Sequence, residues 1–382
     1  MGLKIDRKKI KEIIIVWALY LIIINGYLLI LDRLGHTDVK NHSIKEVCFA
    51  LWGWAWDGMH YIKIATQGYE FPLQAFFPLY PMIIRVLDYV FPFTLSYRIN
   101  ILILLGLLAG AYVLMDYMKI EVKKRIPILI MFLSFPSAFF LQANYVDALY
   151  IFISLVGLYF LLNKRYLYAA VMAGLLSAVK VSGISLGIII IFDYTYNVSN
   201  GFKEIPVNIK KQIFSIIAIS ILSFSGILLY FLYLQNNFGS YNIFFEAQEK
   251  WGREIVGTGK DIKAFIIGFI APIIKAVRNG DTTIYRRIHE ILFFLVSLLC
   301  LRYSYRKIPY TIWLFSLAQI IIPISSGTFL SFNRLALLAY PIFLYGISKI
   351  AEKTYLYWSL IIILFLSQLL GIYLFFNNVF VG

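Results

Sequence analysis

Residues 13–31 read IIIVWALYLIIINGYLLIL, nineteen positions without a charged side chain. Coiled into a helix they would reach about 28 Å, close to the ~30 Å hydrocarbon core of a bilayer. The residues just before this stretch (Lys4, Arg7, Lys8, Lys9 and Lys11) are too charged for the apolar core of a cleavable signal. The stretch itself is long enough to stay in the membrane. Similar apolar runs recur at 99–118, 126–142, 147–162, 212–235, 288–301, 309–324, 334–348 and 355–377. Another, 166–194, is interrupted by Lys180 and Gly183 and reads as two half-helices that enter and leave on one side. Broken helices at membrane depth are tolerated where they line a cavity.

The whole composition agrees. Of 382 residues, 61% are apolar, 14% are charged and 18% are aromatic, and the mean hydropathy is +0.79. A soluble domain carries about 25% charged residues, and a disordered one lacks the aromatics. The expected fold is an all-α polytopic membrane protein of about nine to eleven transmembrane helices, with interfacial helices in two long outer segments. Two cysteines make no disulfide framework, and the four histidines (His36, His42, His60, His289) lack metal-ligand spacing.

A net charge of +15 could suggest a nucleic-acid partner, but the basic residues cluster between apolar runs, where they report orientation. The clusters are 4–11, Lys119 with Lys123 to Arg125, Lys164 with Arg165, and Lys203 with Lys210 and Lys211. Arg302, Arg306 and Lys307, then Lys349 and Lys353, complete the set. One threading puts all of them on the cytoplasmic side, with the N-terminus inside and the C-terminus outside. Segments 76–91 and 263–279 then lie in the outer interface, as their prolines and charges suit. The alternative threading, in which both span, puts the Lys119–Arg125 cluster outside and is less favoured. Two long segments, 32–98 and 236–287, face outward. The chain divides into an N-terminal module, 1–194, a cytoplasmic connection, 195–211, and a C-terminal module, 212–382. The bilayer is a partner and nucleic acid is not.

The polar residues of the outer side fall in five strings. The first, WGWAWDGMHYIKIATQGYEFPLQAFFPLYP at 52–81, carries Trp52, Trp54 and Trp56 as interface anchors. If 50–66 is helical, Asp57, His60, Tyr61 and Ile64 share one face, which also fits a merely solvated polar face. The second, FPSAFFLQANYVDALY at 135–150, gathers Gln142, Asn144, Tyr145 and Asp147 at an outer helix end, where they could simply cap helices. In LLSAVKVSGISLG at 175–187, Lys180 is an expensive intramembrane charge that needs an anion, whether a lipid phosphate, Asp57 or Asp147. FFEAQEKWGREI at 244–255 sets Glu246, Gln248, Glu249 and Arg253 around Trp251. In GTFLSFNRLALLAYP at 327–341, Asn333 and Arg334 stand at an outer boundary, where Arg334 could snorkel to headgroups. No phosphate-cradling GxxxxGK[ST] or GxSxG elbow occurs. No soluble segment exceeds about 70 residues, too short for a sugar-nucleotide domain.

Together these strings resemble the PIG-V-like family, the membrane mannosyltransferases that include GPI mannosyltransferase 2 and its archaeal and bacterial relatives. The resemblance rests on Trp56-Asp57, His60, Ile64-Ala65, Gly68-Tyr69 and Phe76-Phe77-Pro78-Leu79-Tyr80-Pro81. It continues in family order through 135–150, Lys180–Gly183, QEKWGR at 248–253 and SFNRLALLAYP at 331–341. Two departures are plain: Lys180-Val181 stands for the family's usual Arg-Pro, and Arg334-Leu335 for Arg-Tyr.

The resemblance implies a GT-C-type glycosyltransferase that takes sugar, with mannose expected, from a polyprenyl (dolichyl) phosphate. Transfer to a glycolipid or glycan acceptor would occur with inversion on the extracytoplasmic face of the cell membrane. It makes Asp57 the catalytic base. Lys180, Arg253 and Arg334 are then the candidate cations for the departing phosphate, a job a divalent cation (Mg or Mn) could share. His60, Tyr61, Gln142, Asn144, Tyr145, Gln248 and Trp251 would orient sugar and acceptor hydroxyls. A rival reading is a flippase for a lipid-linked sugar or another polar lipid. A transporter needs access from both sides and often shows repeated halves, whereas the polar strings here lie on one side without duplication. A non-catalytic assembly subunit would have no need of Asp57.

Overall fold

The computed structural model describes residues 6–37, 52, 56–90, 95–198, 205–252, 274, 278, 284–325 and 330–382. Among them every regular element is helical. The first half holds α1 (Arg7–Arg33), α2 (Asp57–Gln67), α3 (Leu79–Val90), α4 (Leu95–Tyr117), α5 (Val122–Leu133), α6 (Asp147–Leu162), α7 (Tyr166–Ser177) and α8 (Ile184–Val198). The second holds α9 (Ile205–Phe238), α10 (Ile243–Lys250), α11 (Ile284–Ser304), α12 (Tyr310–Ile324), α13 (Phe332–Leu335), α14 (Tyr340–Ile350) and α15 (Thr354–Phe376).

Four helices are long and apolar enough to cross a membrane unaided: α1, Ile99–Tyr117 of α4, Gln212–Phe238 of α9, and α15. The others are shorter or, like the 21-residue α11, carry more charge, and two expected spans are broken. The run 126–142 is helical only to Leu133; a 3-10 turn, Ala138–Leu141, follows. Pro136 explains the stop, because the residue before a proline is driven out of the α region. The run 334–348 begins as the four-residue α13, passes through a 3-10 turn (Ala336–Ala339) and resumes as α14 with Pro341 in its first turn. Both breaks are shielded, with 131–150 and 331–344 buried throughout. Irregular backbone at membrane depth survives under that condition.

The stretch 166–194 forms α7 and α8, separated by Ala178 to Lys180 and a 3-10 turn, Val181–Gly183. The two legs run antiparallel. Lys164, just before α7, holds Asp193 of α8 at 3.0 and 2.9 Å, so the hairpin returns to the end it left. Tyr166 donates to the same buried carboxylate at 2.9 Å, and Tyr310, first residue of α12, donates to it as well. At this end Lys124 also meets Glu352 at 3.0 Å, and Asn163 donates to Tyr117 at 2.6 Å. The basic segments around 119–125, 164–165 and 349–353 thus share one end of the bundle. The hairpin tip and the outer-segment helices α2 and α3 occupy the other, where Leu79 N–H donates to Ala178 O at 3.0 Å.

Within the expected connection 195–211, α8 runs to Val198 and α9 begins at Ile205. Helices α7 and α9 are pressed together. A Cβ on Gly226 of α9 would stand 2.1 Å from Gly174 O of α7, and one on Gly174 would stand 2.3 Å from Leu222 O. Small residues allow such close helix crossings in membranes. Gly226→Ala must therefore push α9 off the hairpin, at about 1–3 kcal/mol. Thermal unfolding in detergent should show a lower midpoint; an unchanged one would contradict this packing.

Candidate functional site

A cavity of about 670 Å³ opens at the end of the bundle that holds the hairpin tip and α2. Its wall includes Asp57, His60, Tyr61, Lys180, Gln248, Trp251 and Arg334. Of the expected helix over 50–66, Asp57–Gln67 is helical, and Trp56 turns the chain before it with φ 53°; residues 50, 51 and 53–55 lie outside the described residues. A left-handed tryptophan is strained by roughly 1–3 kcal/mol, and here it is held by its indole N–H donating to Phe375 O at 3.2 Å. The turn puts the Asp57 carboxylate in the first turn of α2, where the helix dipole favours a negative charge. Asp57 N–H donates to the Tyr145 hydroxyl at 3.2 Å.

Four charged side chains from four segments then form a line. Asp57 Oδ2 accepts from Arg334 Nη1 at 3.0 Å. Arg334 Nε lies 3.5 Å from Asp147 Oδ2. Asp147 Oδ1 accepts from Lys180 Nζ at 3.2 Å. Asp147 is fully buried in the first turn of α6, and of the anions open to Lys180 in the sequence it is the one that the lysine meets. The Arg334 side chain is 9% exposed and that of Asp57 23%, so the pair faces the cavity without being open to solvent. The Arg334 guanidinium also lies over the rings of Phe140 and Tyr145, 5.5 and 5.0 Å from their centroids. It does not snorkel to the surface.

The segment carrying Arg334 is pinned from below. Ser331 has a left-handed backbone, φ 64°, and its N–H donates to Glu290 Oε1 at 2.8 Å. Glu290 is wholly buried and lies 3.5 Å from Arg286 and 3.4 Å from Arg287. Asn333 donates to Val381 O at 2.6 Å, and Ser137 to Asn333 O at 2.8 Å. The sequence reading passed over Glu290; its signal was a carboxylate two positions into an apolar run, one helical turn after two arginines.

The other singled-out residues divide by place. His60 packs between Phe76 and Trp251, with ring centroids 5.3 and 5.0 Å away. Trp251 donates to Pro72 O at 3.0 Å and Gln248 to Ala75 O at 3.1 Å, which fixes both against the outer segment. Tyr61 is buried beside Phe76 and Tyr80. Gln142, Asn144 and Tyr145 stand behind the wall rather than on it. Asn144 accepts from Tyr80, and Gln142 Oε1 lies 3.5 Å from Asn25 Nδ2. Trp52, expected at the lipid interface, is 3% exposed, packed on Phe139 and Phe376 and donating to Asn25. Arg253 and Trp54, like nearly all of 263–279, lie outside the described residues. Among the described residues no three His, Cys, Asp or Glu side chains group closely enough to hold a metal ion. Asp57 and Asp147 are each engaged by cations, Asp57 by Arg334 and Asp147 by Arg334 and Lys180.

The site is a charged cavity in an all-α polytopic membrane protein. Compared with known families, the chain matches the model for mannosyltransferase (PIG-V) over residues 38–260. The chain belongs to that family of glycosyltransferases. No curated protein and no solved structure matches it.

Burial pushes the His60 imidazole below the usual histidine value of 6.5; Asp57 opposes the shift and Lys63 adds to it. Burial and the Asp57 charge likewise hold the Tyr61 and Tyr145 hydroxyls well above the usual tyrosine range, so both keep their protons. A histidine depressed in the folded state contributes stability above the unfolded value that is lost as pH falls through it. Melts from about pH 7 to about pH 5 should therefore show a smaller loss of stability for His60→Gln than for wild type. Equal losses would contradict the placement of His60.

Proposed function

We propose that this protein transfers mannose from a polyprenyl-phosphate carrier to a hydroxyl of a glycolipid or glycan acceptor, with inversion, as a GT-C-type enzyme. The reaction lies on the extracytoplasmic face of the cell membrane, because the site is at the end of the bundle opposite the basic segments. One observation carries the reading: a half-buried carboxylate, Asp57, and two cations, Arg334 and Lys180, meet at one cavity wall.

The order of the charged line suits the chemistry. The acceptor hydroxyl binds at the Asp57 end and gives its proton to the carboxylate as its oxygen bonds the anomeric carbon. The bond from that carbon to the carrier phosphate breaks, and its electron pair leaves on the phosphate oxygen. Arg334 and Lys180, farther along the line, offset the charge that develops there. Arg253 remains a third candidate cation. His60, Tyr61, Gln248 and Trp251 offer ring faces and hydrogen-bonding groups to the sugars at the wall. Gln142, Asn144 and Tyr145 act from behind it, Tyr145 by orienting Asp57. A phosphate-linked sugar already has its leaving group, so no nucleotide domain is needed.

A positioned base contributes about 10²–10⁴-fold. In liposomes with radiolabelled polyprenyl-phosphate mannose and a crude lipid extract as acceptor, Asp57→Asn should lower transfer by about that factor. A folded Asp57→Asn protein transferring at the wild-type rate would overturn the assignment. Label moving between leaflets without transfer would favour a lipid transporter.

A further inference from the structure

We infer that Asp147 is a positioning residue for the carrier phosphate: its two oxygens set the spacing of Lys180 and Arg334. The inference rests on the proposed function and extends it to a residue given no part in the chemistry above.

The two cations come from unrelated places, the tip of the α7–α8 hairpin and the start of α13. Nothing in their local backbone aims them at each other. Asp147 joins them, with Oδ1 at 3.2 Å from Lys180 Nζ and Oδ2 at 3.5 Å from Arg334 Nε. Its own position is fixed, since it is wholly buried and begins α6. Asp147 does not line the cavity, whereas both cations do. An arriving phosphate therefore meets Lys180 and Arg334 on the wall, with the Asp147 charge behind them and Asp57 beside Arg334. Without that carboxylate the two cations would repel each other and Lys180 would lose its ion pair with Asp147. Arg334 would keep its bond to Asp57 but lose the second carboxylate that draws it toward Lys180.

The loss of Asp147 has two opposed effects. Removing a negative charge near a phosphate strengthens binding by plain electrostatics, and removing the spacer weakens it by misplacing the cations. Positioning dominates in the inferred role, because misdirected side chains forfeit oriented charge-assisted hydrogen bonds. The sign of the change therefore decides.

The test uses the full-length protein in detergent and tritiated polyprenyl phosphate, which carries no sugar, with thermal unfolding to confirm folding. Asp147→Asn should raise the Kd for polyprenyl phosphate about tenfold. In the transfer assay it should raise KM for the donor and leave KM for the acceptor unchanged, a split that a merely reduced active fraction would not produce. Should Asp147→Asn fail to fold, Asp147→Glu keeps the charge and displaces it by one methylene; it should weaken phosphate binding by a smaller factor. An unchanged or lower Kd in a folded variant overturns the inference. If wild type does not bind polyprenyl phosphate, the donor assignment fails and takes the inference with it. If Lys180→Gln and Arg334→Gln weaken binding while the Asp147 variants do not, the inference alone fails.

Discussion

The constraint on which the rest depends is the need to pair charge inside a low-dielectric bundle. An unpaired ion there is expensive, and breaking one partner of a buried pair costs about 3–5 kcal/mol. Asp57, Arg334, Asp147 and Lys180 meet that need by alternating in sign along one line. They also tie together α2, α6, the α7–α8 hairpin and α13, so satisfying the charges assembles the cavity wall. The same solution appears at the opposite end, where buried Asp193 takes Lys164, Tyr166 and Tyr310 and closes the hairpin against α12. The hairpin is therefore held at its base by one carboxylate and at its tip by another.

Much of this was legible in the sequence because membrane burial leaves strong one-dimensional marks. Apolar length, the positions of basic clusters and the interruption at Lys180 are local properties that needed no partner to read. The Trp56-Asp57 string and its successors placed Asp57, His60 and Tyr61 on one short helix, and all three line the cavity. Helix ends were harder. The stop at Leu133 follows from Pro136, and both that break and the 3-10 turn at Ala336–Ala339 are permitted only because those segments are buried by neighbours. The start of α2 depends on a strained Trp56 that its indole bond to Phe375 stabilises from the far end of the chain.

What the sequence hid was pairing at a distance. Arg334 and Asp57 are 277 positions apart, and Arg334 alone reads equally well as a snorkelling residue. Trp52 reads as an interface anchor until Phe139 and Phe376 are seen to enclose it. Glu290 shows in the sequence only as a carboxylate one turn after Arg286 and Arg287. Its bond to Ser331 and the contacts of Asp147 with the two cations become visible only when the backbone brings the segments together.

In the proposed reaction Arg334 and Lys180 receive a carrier phosphate beside the Asp57 carboxylate. The most direct test is a cryo-electron-microscopy structure of the protein with polyprenyl phosphate bound. The account predicts phosphate oxygens within about 4 Å of both Arg334 and Lys180 nitrogens, with Asp57 on the same cavity wall. A phosphate seated elsewhere, with both cations turned from it, would contradict the account.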